Sequence, residues 1–164
     1  MTTNFPELLK VLTRARVDFI VVGGAAATVH GSAILTQALD IVYSRSEDNI
    51  DRVALALAPY QPYLRGVPPG LPFDWSTRTI QNGLNFTLTT SLGLLDTLGE
   101  IAGGGSYPDL LPHSNTIEVY GVKCLCLNLE KLIQTKRAAG RPKDFNAIAE
   151  LEAIAEEKAR LEIQ

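Results

Sequence analysis

Apolar and polar positions change their spacing several times along the 164 residues, and each change marks an element. Asn4-Phe5-Pro6-Glu7 reads as a helix start: Asn4 can cap, Glu7 can reach back, and Pro6 is tolerated in the first turn. The helix should run to about Arg16, with Leu8, Leu9, Val11 and Leu12 on its apolar face. Val17–Val22 is then a strand, apolar enough to be buried on both faces. It breaks at Gly23-Gly24, and an Ala-rich helix follows to Gly31. Leu39–Tyr43 reads as a second strand. Ser46 caps a helix carrying Ile50, Val53, Leu55 and Leu57, which Pro59 ends.

The middle of the chain is more broken. From Gln61 to Trp75, Pro62, Pro68, Pro69 and Pro72 with two glycines predict a loop or irregular edge, with Phe73 and Trp75 as its anchors. Arg78–Ile80, Leu84–Thr89 and Leu94–Leu98 read as short strands, with Asn82-Gly83 as a hairpin turn between the first two. Gly103-Gly104-Gly105 is expected to be a flexible connection. Asn115–Tyr120 and Val122–Leu127 form a hairpin about Gly121. Asn128 caps a helix over Leu129–Ala139, Gly140 stops it, and Pro142 opens a last helix through Ile154 and beyond. Residues 152–164 are charged, alternate in sign and are expected to fray. The sum is a single α+β domain spanning 1–164, a mixed sheet flanked by helices with a helical C-terminus.

Composition narrows the function classes. Lys+Arg 15 against Asp+Glu 18 gives a formal net charge of −3, with 46% hydrophobic residues. That balance excludes a largely disordered chain, and a pI near 5.4 speaks against general nucleic-acid coating. The longest apolar stretches, Phe19–Val22 and Ala25–Val29, are too short for a bilayer, and MTTNFPELLK lacks a signal-peptide pattern. Cys124 and Cys126, two apart on a strand, read as buried small hydrophobes on one face. With no His or Cys partner at ligand spacing for His30 or His113, a zinc site is not expected, and a reducing, cytoplasmic setting follows.

Three features could carry chemistry. Gly23-Gly24 at a strand-to-helix junction either exposes backbone N–H groups to an anion or simply makes a tight turn. It is neither a Rossmann fingerprint nor a P-loop. Asp40 and Asp96 each interrupt an apolar strand. Such acids either converge on one divalent ion or pair separately with an Arg or backbone N–H. Lys136, Arg137, Arg141 and Lys143, with Asp144 among them, surround a helix–Gly–Pro–helix junction. They are either a solvated face that favours the helix dipole or a phosphate clamp.

In this order the pieces resemble the nucleotidyltransferase fold of the DNA polymerase β superfamily, most of all the small bacterial abortive-infection type nucleotidyltransferases, which are toxins of toxin–antitoxin pairs. The resemblance runs from Phe19-Ile20-Val21-Val22-Gly23-Gly24 through His30-Gly31, Thr36 and Leu39-Asp40-Ile41 to Asp96. It ends in Leu132–Asp144, its most specific part. It implies Mg²⁺-dependent transfer of a nucleoside monophosphate from an NTP to an RNA or protein hydroxyl, and an antitoxin partner. By the same resemblance Gly23 and Gly24 cradle the triphosphate, and Asp40 and Asp96 are the catalytic metal ligands. Lys136, Arg141 and Lys143 face phosphates or an RNA acceptor, Thr36 supports the site, and Asp144 orients a cation.

The chain departs from the family at three places. The second strand should carry an acid–x–acid pair on one face, but Ala38-Leu39-Asp40 keeps only the second acid. A basic position before it is apolar in Ser32–Thr36, and Ser91 stands where relatives often have an acid. The expected consequence is impaired transfer, or a module that binds a nucleotide, RNA or a partner without turnover.

Overall fold

The computed structural model describes residues 2–163. Helix α1 (Phe5–Arg14) is capped by Asn4, whose side chain accepts from the Glu7 N–H, and buries Leu8, Leu9, Val11 and Leu12. Strand β1 (Phe19–Val22) is buried at all four positions and leads into α2 (Gly23–Val29). Strand β2 (Ala38–Tyr43) and α3 (Glu47–Leu57, capped by Ser46) follow the predicted pattern. Later come β3 (Tyr63–Leu64), α4 (Thr77–Asn82), β4 (Phe86–Thr90) and β5 (Gly93–Leu98). A small ribbon, β6 (Glu100–Ile101) with β7 (Gly105–Ser106), and α5 (Tyr107–Leu110) precede β8 (Ser114–Val119) and β9 (Val122–Leu127). Helices α6 (Leu129–Ala139) and α7 (Pro142–Ile163) complete the chain.

Seven strands form one mixed sheet in the order β3-β4-β5-β2-β1-β9-β8. β1 lies antiparallel to β2 and parallel to β9, and β2 is parallel to β5. The register of that last pair sets Ala38 beside Leu94 and Asp40 beside Asp96. One core cluster joins α1, α2, α3, the central strands and α6, with Leu151 of α7 fully buried in it. Cys124 and Cys126 lie on the buried face of β9 as free thiols, and burial together with the neighbouring Cys124 pushes Cys126 up to about 12. Among the described residues, no helix is long and apolar enough to cross a membrane.

Three expectations are corrected. Arg78–Ile80 is helix, not strand: Ser76 accepts from the Thr79 N–H and starts a turn whose buried residue is Ile80. Asn82-Gly83 therefore ends α4 instead of turning a hairpin, and a side chain at Gly83 would overlap the Phe86 ring. The hairpin lies between Thr90 and Gly93, where Thr90 Oγ1 accepts from Leu92 N and donates to Gly93 O at 2.9 Å. Nor is Gly103–Gly105 a loose connection, because the β6–β7 turn packs on α6 so closely that a Cβ at Gly103 would strike Ala138. The last helix continues beyond Ile154 to Ile163, and Gln164 lies outside the described residues. Phe73 and Trp75 do anchor their loop, in an aromatic chain from Tyr63 to Phe86, with Trp75 Nε1 donating to Ala54 O.

Asn49 ties the strand ends to α3. It is fully buried, its Oδ1 accepts from Asp18 N at 2.7 Å, and its Nδ2 donates to Asp18 O and Ser44 O. Asn49→Ala strands all three backbone groups, and unmade buried hydrogen bonds cost about 1–3 kcal/mol each before relaxation. Urea denaturation should therefore show a loss of about 2–4 kcal/mol with an unchanged m-value.

Candidate functional site

Strand β1 ends at Val22, and the chain turns into α2 through Gly23, whose φ of +61° is unfavourable for a side chain. The second reason for glycine is contact. A Cβ there would collide with Oδ2 of Asp40, which stands opposite on β2 in the Val22–Asp40 register. The Gly24 N–H lies beside the Asp40 carboxyl and pulls its pKa down, against the larger effect of burial. A Cβ on Gly24 would lie 2.6 Å from Thr36 Oγ1, which itself donates to Ala38 O at 3.2 Å. Both glycines thus give room to the β2 segment that carries the acid.

Asp40 and Asp96 project from paired positions on parallel neighbours, close enough for each carboxyl to affect the other's proton. Burial above all, then the Asp96 hydrogen bond and charge, push the Asp40 carboxyl up to about 7, against smaller pulls from Gly24 N–H and Lys136. Asp96 also has a cation beside it. Arg65 Nη2, just past β3, lies 2.8 Å from Asp96 Oδ1. The two acids therefore lie side by side, and Asp96 has an arginine as its local partner.

The pair forms one wall of a cleft of about 470 Å³. Val22 and Gly23 join them, with Asn85, Thr87 and Leu98 further along the sheet and Glu100–Ala102 from the ribbon. The facing wall is Thr135, Lys136 and Ala139 of α6 with Arg141. Lys136 is buried, and its ammonium is pulled down by desolvation while Asp144 and Asp40 hold it up. Asp144 is only 2% exposed. Its Oδ2 accepts from Arg141 N at 3.2 Å and Nε at 2.8 Å, its Oδ1 accepts from Nη2 at 3.2 Å, and Lys136 Nζ is 4.0 Å away. Burial raises the Asp144 carboxyl, but the Arg141 bonds and charge together with Lys136 outweigh it and leave it below the ordinary range.

The structure thus brings together Gly23, Asp40, Asp96, Lys136 and Arg141 around one cleft, with Asp144 behind the cations and Thr36 behind Gly24. It sets Lys143 apart, exposed on the first turn of α7 and outside the cleft lining. His30 is used structurally, its Nε2 sitting 2.8 Å from Leu127 O. Sequence reading missed Arg65 and Glu100. Arg65 lay within a segment dominated by prolines, and only the β3–β4–β5 pairing carries it to Asp96.

No protein-family model matches the chain, and no curated protein matches it either. Solved structures do. The lincosamide antibiotic adenylyltransferase LnuA, crystallised with lincomycin, superposes with a TM-score of 0.61 at 15% identity, over 94% of this chain and 99% of that one. The chain has the nucleotidyltransferase fold. A candidate nucleotidyltransferase from Thermotoga maritima gives 0.53 at 16% identity, over 91% and 94%. An antigenic nucleotidyltransferase-like protein from Paracoccidioides brasiliensis gives 0.54 at 16% identity, over 91% and 72%.

The raised Asp40 carboxyl makes stability depend on pH. Its folded-state value of about 7 lies above the ordinary aspartate value of 3.8, so its contribution is complete below about pH 4 and is lost as pH rises through 7. Asp40→Asn removes this dependence. Its melting temperature should match or fall below the parent's near pH 4.5 and exceed it by about 3 °C or more at pH 8, near 1 kcal/mol for a chain of this size. Equal differences at both pH values would show that Asp40 does not titrate in this window.

Proposed function

We propose that the protein is a metal-dependent nucleotidyltransferase that moves a nucleoside monophosphate from an NTP to a hydroxyl of an RNA or protein acceptor, slowed by the alanine at position 38. The observation that carries this reading is the Asp40–Asp96 pair facing Lys136 and Arg141 across one cleft. An acidic wall opposite a cationic wall suits a triphosphate that must be held at its phosphates and polarised at one of them. The fold shared with an adenylyltransferase supports the same chemistry. The toxin-type role and an antitoxin partner rest on the sequence resemblance alone.

The donor set fits one divalent cation. Two carboxyl groups stand at paired positions on neighbouring strands, and Asp96 Oδ1 is buried without a hydrogen-bond partner. Hard oxygens of this kind, completed by phosphate and water, are what Mg²⁺ takes. Among the described residues, no three His, Cys, Asp or Glu side chains gather at one point, so the set fits one ion better than two. Asp40 and Asp96 would hold it, and when bound it would neutralise phosphate charge and polarise the attacked phosphorus.

The remaining work belongs to the chain's own groups. Lys136 and Arg141 bind phosphate oxygens, and Asp144 fixes both cations so that little side-chain freedom is lost when the nucleotide arrives. Gly23 keeps the floor of the cleft low enough for Asp40 to reach its partner. Ala38 is half-buried two residues before Asp40, on the same face of β2, where a carboxylate would complete the acidic wall.

An NTP at about 100 times its dissociation constant adds about 2.7 kcal/mol, which should raise the melting temperature by roughly 5–10 °C. Lys136→Met should remove most of that rise. Ala38→Asp should speed transfer from labelled NTP in Mg²⁺ by about 100-fold, and adding Asp96→Asn should abolish it. A folded Ala38→Asp protein that binds NTP yet labels no RNA, protein or water acceptor would overturn the transferase reading.

A further inference from the structure

We propose that Arg65 is the resident counter-ion of the Asp40–Asp96 pair and sets how tightly the cleft takes a divalent cation. The inference deepens the reading above, because it concerns the same carboxylates.

Arg65 enters the site from the edge of the sheet. Its backbone N–H donates to Thr87 O at 2.9 Å, which continues the β3–β4 ladder by one bond. From there the side chain crosses β4, and Nη2 donates to Leu88 O at 2.7 Å while standing 2.8 Å from Asp96 Oδ1. The two side chains are 31% and 19% exposed, so solvent screens this contact less than an ordinary surface pair.

The contact is incomplete. Asp96 Oδ1 has no hydrogen-bond partner despite the nearby Nη2, and Arg65 Nε is buried without an acceptor. Nη2 directs its aligned bond to Leu88 O and gives Asp96 charge without a well-directed N–H. A buried ion pair repays its desolvation only when its hydrogen bonds are also made. A guanidinium in this arrangement neutralises the acid but holds it weakly, and a divalent ion approaching Oδ1 competes for the same oxygen with twice the charge.

The segment carrying Arg65 can yield. β3 is two residues long at the sheet edge, and the chain beyond it runs through Gly66 and Gly70, both at positive φ, with Pro68 and Pro69 between them. None of residues 65–70 belongs to the core cluster. Arg65 can leave Asp96 by a side-chain movement that breaks its bond to Leu88 O and disturbs little else. The site therefore has a cation of its own in place, and a metal enters by exchange with it.

The test is direct binding of Mn²⁺ alone, without nucleotide, to the full chain, measured by calorimetry and by the spin-resonance signal of free Mn²⁺. Arg65→Ala and Arg65→Gln should each bind Mn²⁺ about tenfold or more tightly than the parent. Arg65→Ala with Asp96→Asn should lose the gain. The Gln variant retains a donor for Leu88 O, so the comparison survives if the Ala variant folds poorly. Unchanged or weaker Mn²⁺ binding in a folded Arg65→Gln protein overturns the proposal. Such a result alongside NTP stabilisation of the parent leaves the nucleotide site intact. A Mn²⁺ gain without any NTP stabilisation supports Arg65 as the counter-ion and removes the nucleotide reading.

Discussion

The site depends on one close approach, that of the Asp40 carboxyl to the backbone at Gly23. Oδ2 fills the place a Cβ would take, the turn needs positive φ, and the next N–H favours the charged form of the same carboxyl. Any side chain at position 23 would push the acid away from Asp96 or force the β1–α2 turn open. Because β1 is the strand through which β2 joins β9, that movement would be felt across the centre of the sheet. Site geometry and fold stability share this single packing constraint.

Charge around the cleft is arranged in opposed sets rather than in isolated pairs. On one wall Asp40 and Asp96 crowd each other, and Arg65 offsets part of the repulsion. On the other, Asp144 supports Arg141 and Lys136 from behind. The helical wall owes its position to ordinary packing: α6 lies on α2 and is clamped by α7, whose Leu151 is fully buried. Gly140, at φ +63°, makes the sharp return between the two helices, bringing the Asp144 carboxyl up beneath the cations of α6 and the junction. Apolar burial thus holds Lys136 in a place its own desolvation would oppose.

The outer parts of the fold could be read from the chain because their signals are local. Asn4, Ser46 and Asn128 each cap a helix with the side-chain bond their spacing predicts. Cys124 and Cys126 share a buried face because a strand repeats every two residues. The errors arose where local and tertiary signals compete. Arg78-Thr79-Ile80 has strand-like composition, but Ser76 starts a helix that needs only Ile80 in the core. Asn82-Gly83 has hairpin chemistry, but Phe86 fills the space behind the glycine. At the site, Asp40, Asp96 and the cationic junction stood out as charges in apolar surroundings. Arg65 did not, because only strand order tells that a proline-rich edge runs beside Asp96.

Strand order also gives Ala38 its meaning. The β2–β5 register puts Ala38 beside Leu94, one pleat before the Asp40–Asp96 pair, so the strands present an apolar step next to the two acids. A carboxylate there would add a third acidic group beside a pair in which burial first, and then the neighbouring Asp96, push Asp40 up to about 7. Such a triad needs a cation of higher charge than one guanidinium can supply. With alanine in that place and a proton on Asp40, Arg65 balances the remaining carboxylate without any added ion. Ala38 and Arg65 are thus two parts of one electrostatic balance, in which the acidic wall stays folded with a cation of its own beside it.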